Sequence, residues 1–414
     1  MKKPIHQLCW YGTENLSVPL KAAIWASALF TALCVSLTGC NQPSQENTAD
    51  ANAAATDSAA VSAKSANGSP AALVPTGAKP AWAPGITPPM QTVIEQLASY
   101  KTPPLPTLPA AEARKTPSPT DAVMALMEKH NIPVPPAGAD TAGRDIAVKG
   151  GKIHLRVYTP KSGQAPFPVI VYYHGGGWVI ANLDTYHPSA QALAEQTGAV
   201  LVSVAYRQAP EHKFPTAHND SYAAYEWTLK NAASLRGDPK RVAVVGESAG
   251  GNLAASVSMM ARKGGVMVPL HQVLVYPIAS SDTTSPSYQQ YAAAKPLDKP
   301  LMGWFFKQYL RSPADGTDPM INLVKAPLKG MPPTTIIGAE IDPLLSEGKQ
   351  LAERLEAAGV PVTYRKFDGV THEFFGMAAV LEQAKEAQAL AAAELKKALN
   401  AGELGKAGVP DAAP

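Results

Sequence analysis

The sequence predicts an α/β fold: a mostly parallel central sheet flanked by helices, with a helical cap. Three observations predict it. From residue 144 to about residue 400, short apolar runs alternate with stretches of helical spacing, the pattern of strands crossing over through helices. One run, Arg241–Val245, passes through Gly246-Glu247-Ser248-Ala249-Gly250-Gly251-Asn252 directly into a helical stretch. The long interval between Tyr276 and Thr334 breaks the alternation, as an inserted cap does.

The N-terminal part precedes all of this. Residues 1–21 carry Lys2, Lys3 and Lys21, and Ala22 to Leu37 is an uncharged apolar run. That run is shorter than the ~20 residues a spanning helix needs and suits the apolar core of a secretory signal. It ends in Leu37-Thr38-Gly39-Cys40, which resembles the lipobox of bacterial lipoproteins. The resemblance implies removal of residues 1–39 and acylation of Cys40. Two or three acyl chains on one residue anchor stably where one is marginal. The other two cysteines, Cys9 and Cys34, lie within the leader, so nothing beyond residue 40 can form a disulfide or a cysteine metal site. Residues 40–84 are rich in Ala, Ser, Thr, Asn and Pro and read as a disordered tether. The expected location is the bacterial cell envelope, lipid-anchored to the bilayer. Asn41 after the cysteine leans towards the outer membrane.

Met90–Tyr100 and Asp121–Asn131 have helical spacing, separated by a proline-rich link, with Asp121 a plausible cap. Residues 85–143 are therefore read as cap helices, and residues 144–400 as the catalytic-type domain. Within it, Asp145–Lys149 and Ile153–Tyr158 read as an antiparallel pair turning at Gly150-Gly151. Val169–Tyr173, Val200–Ala205, Arg241–Val245, Gln272–Tyr276, Thr334–Gly338 and Val362–Phe367 read as further strands. Helices are expected at Pro188–Thr197, Ala217–Leu235, Leu253–Ala261, Ser346–Ala358 and Met377–Leu399. The interval at about 280–325 holds one more, Pro300–Leu310, with Trp304, Phe305 and Phe306 packing it and one of them a candidate pocket wall. Residues 401–414 read as a loose tail.

Gly-x-Ser-x-Gly between a strand and a helix is a nucleophile-elbow pattern. The turn is tight enough that side chains two positions either side of Ser248 would collide with backbone, and glycine removes them. A serine nucleophile needs a base, a carboxylate to orient the base, and donors for an oxyanion. His372 and Asp342 each come just after a predicted strand, at the same sheet edge as Ser248. His174-Gly175-Gly176-Gly177-Trp178 comes after Val169–Tyr173, where consecutive glycines let backbone N–H groups turn inward beside that of Ala249.

Four blocks together resemble the hormone-sensitive-lipase-like, or bacterial family IV, esterases of the α/β-hydrolase superfamily. They are His174–Trp178, Ala205-Tyr206-Arg207-Gln208-Ala209-Pro210-Glu211-His212-Lys213-Phe214-Pro215, the elbow, and Asp342-Pro343-Leu344 with His372. The resemblance implies an α/β-hydrolase fold with Ser248 as nucleophile, His372 as base and Asp342 as its orienting partner. It implies oxyanion N–H groups from Gly176, Gly177 and Ala249, and a two-part cap. It gives His174 a role in shaping its loop, and His212, Arg207 and Glu211 a role in holding theirs. The chain departs from the usual pattern at Glu247, at Leu345-Ser346 and at Glu373. The implied reaction is hydrolysis of short- to medium-chain carboxylic esters. Amide, lactone or carbamate hydrolysis on the same residues, and a binding role without catalysis, are the alternatives.

No metal site or cofactor is expected, since the remaining histidines lack a second ligand at metal spacing. The 414 residues carry a net charge of +3, and +1 without the first 39, which points to no nucleic-acid partner. The expected partners are a small ester substrate and the bilayer, with the chain a monomer or dimer. The lipobox makes a direct prediction. Metabolic labelling with palmitate should mark the wild-type protein in a bacterial host, and Cys40→Ala should abolish both the label and recovery in the membrane fraction.

Overall fold

A run of five large apolar residues, Val169 to Tyr173, forms the middle of a strand buried on both faces. The computed structural model describes residues 73–404, with side chains to residue 400. The leader, Cys40, most of the expected tether and residues 405–414 lie outside the described residues. The sheet has eight strands: β1 (Ala139–Val148), β2 (Gly151–Pro160), β3 (Phe167–Tyr173), β4 (Val200–Ala205), β5 (Gly237–Glu247), β6 (Gln272–Val275), β7 (Thr334–Ile341) and β8 (Val362–Thr371). Their order is β1-β2-β4-β3-β5-β6-β7-β8. β1 and β2 pair antiparallel, as do β2 and β4, and every neighbour pair from β4 to β8 is parallel.

The helices are α1 (Pro88–Ser99), α2 (Ala110–Ala113), α3 (Pro119–Lys129), α4 (His187–Thr197), α5 (Thr216–Asn231), α6 (Ala249–Gly264), α7 (Pro286–Gln290), α8 (Lys299–Tyr309), α9 (Leu345–Ala357) and α10 (Glu382–Leu404). Strand alternation assigns them to two layers. Val169, Val171 and Tyr173 of β3 share a core with Ala217 and Ala224 of α5, Leu253 and Val257 of α6, and Leu351 and Leu355 of α9. Ile170 and Tyr172 share the opposite core with Met90 of α1, Leu126 of α3, Leu193 of α4 and Leu395 of α10. Among the described residues no helix is long and apolar enough to cross a membrane.

Several boundaries move. The sheet begins at Ala139 and not at 144, because β1 pairs with β2 over ten residues, around a turn at Lys149-Gly150. The tether, expected to reach residue 84, ends sooner: Leu73 and Ala83 are buried, and Glu95 accepts hydrogen bonds from the N–H groups of Thr76 and Gly77. The second cap helix is capped by Ser118, with Asp121 as the reciprocal partner of a capping box. The closing helix starts at Glu382 and not at Met377. Phe374 and Phe375 are both fully buried, and a 3-10 turn at Phe374–Gly376 holds them there. Residues Pro313–Lys325 of the expected cap insertion return to the core: Ile321 and Leu323 are buried, and Met320 and Ile321 carbonyls accept from Ser256 and Asn252 of α6.

The block after β4 is held by ions. Arg207 clasps the buried Asp220 of α5 through Nε and Nη2, at 2.8 and 2.7 Å, and donates to the carbonyls of Lys149 and Gly150. Glu211 takes both terminal nitrogens of Arg114, just after α2, tying the block to the N-terminal cap. His212 is exposed and does not anchor the loop. Arg207→Ala leaves the Asp220 carboxylate buried without its cation. It is expected to cost roughly 3–5 kcal/mol, read as a lower urea midpoint with an unchanged denaturant slope.

Candidate active site

Three parallel strands end on three polar residues. Ser248 comes directly after Glu247, the last residue of β5. Asp342 comes after Ile341 of β7, and His372 after Thr371 of β8. All three are buried, at 4 % exposure or less. Their side chains form one hydrogen-bonded chain: Ser248 Oγ lies 2.8 Å from His372 Nε2, and His372 Nδ1 lies 2.6 Å from Asp342 Oδ2. The other Asp342 oxygen accepts the Leu344 N–H at 2.9 Å.

The elbow has the expected cause. A Cβ at Gly246 would lie 2.0 Å from the Gly250 carbonyl oxygen, and one at Gly250 would lie 1.9 Å from that of Tyr173. Ser248 itself has φ 56°, ψ −117°, a conformation disfavoured for a residue with a side chain. Neighbouring backbone holds it there: its N–H donates to the Val275 carbonyl, and its carbonyl accepts from Ile278.

His372 is placed by an irregularity in β8. Thr334 to Ala339 of β7 pair with Val362 to Phe367 at constant offset, but Ile341 then pairs with Thr371. β8 carries two extra residues at this point, and Gly369 there has φ 71°. Such a bulge re-aims the side chains beyond it. With an unbroken register Asp342 would stand opposite Val370; the bulge brings His372 opposite instead. The Gly369 N–H donates to Glu340, and its carbonyl accepts from Thr87 at the start of the N-terminal cap.

Gly176 and Gly177, with φ 95° and 59°, curl the loop after β3. Among the described residues the N–H groups of Gly176, Gly177 and Ala249 find no acceptor. Both glycines and Ser248 line one cavity of ≈ 920 Å³. Its roof comes from Ile94 and Leu97 of α1, Met124 of α3 and Leu301 of α8. Of the three aromatics expected in α8, Phe305 lines the cavity, lying over Gly177, whereas Trp304 and Phe306 are buried in packing. His174 is buried beneath the loop, stacked on Tyr206 at 4.4 Å, and burial pushes its pKa down to about 4. It is neutral and shapes the loop.

Burial opposes a charged His372, but the Asp342 carboxylate, with Glu373 and Glu247 nearby, outweighs it, and the imidazole pKa rises above its ordinary 6.5. The departures from the usual motif surround this pair. Glu247 is buried, its carboxyl taken by the hydroxyls of Tyr172 and Tyr276, each at 2.5 Å. Burial, with Glu373 nearby, raises its pKa to about 7. Tyr276 also lies 4.4 Å, ring to ring, from His372. Ser346 exchanges hydrogen bonds with Ser287 of α7, clamping the segment after Asp342. Sequence reading passed over Arg114, Tyr172, Tyr186 and Tyr276. For Tyr172 and Tyr276 the available signal was a hydroxyl inside or just beyond an otherwise apolar strand; Arg114 and Tyr186 carry no such signal.

Residues 170–376 match the family model described as alpha/beta hydrolase fold. The chain belongs to the α/β-hydrolase family. It is 42% identical over 253 residues to "Carboxylesterase NlhH" of Mycobacterium tuberculosis, covering 60% of this chain and 79% of the relative. It is 35% identical over 241 residues to "Ethyl acetate hydrolase" of Pseudomonas putida, covering 57% and 76%. Among solved structures, a thermostable esterase from Pseudomonas putida superposes with a TM-score of 0.70 at 32% identity, covering 76% of this chain and 98% of that one. An esterase of Pyrobaculum calidifontis gives 0.68 at 35% identity, covering 75% and 98%. The chain is a carboxylesterase-like hydrolase, in line with its hormone-sensitive-lipase-like motifs.

Proposed function

We propose that the protein is a serine carboxylic-ester hydrolase that acts on short- to medium-chain acyl esters through Ser248, His372 and Asp342. The observation that carries this reading is the continuous hydrogen-bonded chain from Ser248 Oγ through His372 to Asp342 at the floor of the cavity. His372 Nε2 takes the Ser248 proton as Oγ attacks the ester carbonyl carbon. The carbonyl oxygen becomes an oxyanion held by the N–H groups of Gly176, Gly177 and Ala249. Collapse breaks the bond to the alcohol oxygen, which leaves with the proton from Nε2, and the acyl group stays on Ser248. Water then gives a proton to Nε2, attacks the acyl-enzyme, and the acid departs as the proton returns to Oγ. Asp342 fixes the ring orientation and offsets the imidazolium charge in each half.

The roof of α1, α3 and α8 over Ser248 supports a confined acyl site. Sequence alone supports the second half of the reading, in which acylated Cys40 holds the enzyme at the cell envelope.

Hydrolysis of p-nitrophenyl esters from C2 to C16 tests the reaction. Wild type should prefer C4–C8, and Ser248→Ala should lose at least ~10³-fold in kcat. No turnover at any chain length would move the search to amides, lactones and carbamates.

The pH profile tests His372. Only the neutral imidazole can take the proton, and its pKa is raised above 6.5. The acid limb of kcat/KM should therefore have its midpoint above 6.5, with little activity left at pH 5. A profile flat from pH 5 to 8 would remove His372 from the role of base.

A further inference from the structure

Glu373 stands where the reading of Ser248 and His372 does not use it. Its backbone is left-handed, with φ 71° and ψ 3°, strained for a residue with a side chain. Its carboxylate lines the cavity beside Ser248 and His372, one-fifth exposed. Oε1 is 3.9 Å from His372 Nε2, the same nitrogen that lies 2.8 Å from Ser248 Oγ. The carboxylate therefore sits on the reacting side of the ring.

The surroundings hold it there without satisfying it. The Tyr186 hydroxyl lies 2.6 Å from Oε1 and 2.8 Å from Oε2. One hydroxyl has one proton, whereas a carboxylate offers about four acceptor positions. Tyr186 is buried, and a Cβ at Gly175 would lie 2.2 Å from its oxygen, so the glycine loop leaves room for this support. Most other charges lining the cavity are matched: Arg114 by Glu211, Lys115 by Glu112, Asp184 by Arg156 and Lys295 by Asp298, while Asp121 accepts from the N–H and hydroxyl of Ser118. Among the described residues, no lysine or arginine pairs with Glu373.

We propose that Glu373 determines specificity for the alcohol side of the substrate, selecting esters that carry a hydroxyl on the carbon next to the ester oxygen's own carbon: monoesters of vicinal diols and polyols. The inference rests on the proposed roles of Ser248 and His372. The leaving oxygen must come within about 2.6–3.2 Å of Nε2 to take its proton. A hydroxyl on the adjacent carbon then reaches Oε1 across a normal O–H···O distance of about 2.7–2.8 Å. It fills an acceptor position that Tyr186 leaves open. A methyl ether at the same place covers the carboxylate and supplies no donor. An anionic group meets a like charge in a confined site. Acyl-chain length plays no part in this selection.

The test compares kcat/KM for 2-hydroxyethyl butyrate and 2-methoxyethyl butyrate with the full-length protein, with p-nitrophenyl butyrate as the common reference. Wild type should favour the hydroxyethyl ester by about tenfold to a hundredfold, the range for a hydrogen bond to a charged group. Glu373→Gln keeps one acceptor for Tyr186 and turns the other oxygen into a donor, so the preference should fall to within about threefold of unity. Glu373→Gly, which suits φ 71° and removes the carboxylate, should do the same and guards against misfolding of the first variant. No preference in wild type, or a preference that survives both substitutions, overturns the assignment while p-nitrophenyl butyrate is still cleaved. If wild type cleaves none of the three esters, the esterase reading itself fails, and the role of Glu373 fails with it.

Discussion

The backbone crossing at residues 246 to 250 is the constraint on which the rest of the site depends. Strand β5 reaches Glu247, reverses through Ser248, and becomes α6 within one residue. This brings Gly246 against the Gly250 carbonyl and Gly250 against the Tyr173 carbonyl, at distances no Cβ tolerates. The strained Ser248 costs on the order of 1–3 kcal/mol and persists because the sheet over-determines it. Its N–H is fixed by Val275 of β6, and its carbonyl by Ile278. The serine's position is thus inherited from strand register. The same holds for its partners, since the β8 bulge at Gly369 decides that His372, and not Val370, faces Asp342. Thr87 pins that bulge from the N-terminal side. A segment that contributes no side chain to the Ser248–His372–Asp342 chain therefore helps set its geometry.

The second constraint is electrostatic. Glu247 and Asp342 are buried to 2 % exposure or less, Glu373 is partly buried, and all three act on the His372 imidazole; Glu347, equally buried, lies near Asp342. Buried carboxylates are tolerated when they are neutralised or well supplied with donors. Asp342 has the ring N–H of His372 and the Leu344 N–H. Glu347 has the N–H groups of Ala279 and Ser280, and burial still raises its pKa well above the ordinary range. Glu247 has two tyrosine hydroxyls, and Glu373 has one. Asp342, with Glu373 and Glu247, favours the charged form of the His372 imidazole. Burial and the neighbouring Glu373 raise the pKa of Glu247 to about 7, and burial raises those of Glu347 and Glu373 as well.

The order of strands and the placing of Ser248, His372 and Asp342 at one sheet edge were legible because each carries a local signal. An apolar run marks a buried strand, and a polar residue directly after it marks the functional edge. The features that escaped the sequence depend on contacts far apart in the chain. Nothing near Arg114 announces that it will clasp Glu211, 97 positions away. Nothing near Thr76 and Gly77 announces Glu95 as their acceptor, so a run of small residues and prolines made residues 73–84 look loose. The interval at 280–325 read as one insertion because its length was visible and its packing was not. Its first half reaches the cavity through α8, while Met320 and Ile321 are tied back to α6. His212 failed for the opposite reason: it sits in a recognisable block, but block membership says nothing about exposure.

The cap covers a cavity of ≈ 920 Å³ that Ser248 and His372 line. Its walls come from two distant chain segments, α1 to α3 and α8, which meet above the glycine loop. Phe305 presses on Gly177, so the wall nearest Ser248 is set by the oxyanion loop itself. Arg114 reaches across to the Val179 and Ala209 carbonyls as well as Glu211, locking the N-terminal segment to the block after β4. The apolar residues contributed by α1, α3 and α8 suit an acyl chain. The polar wall, where Glu373 and Tyr186 stand beside His372, suits a hydroxylated alcohol. On the proposed reading, a cavity with one apolar wall and one carboxylate short of donors would discriminate at both ends of an ester. It would do so through contacts that lie outside the reacting residues, which is where members of one fold family are free to differ.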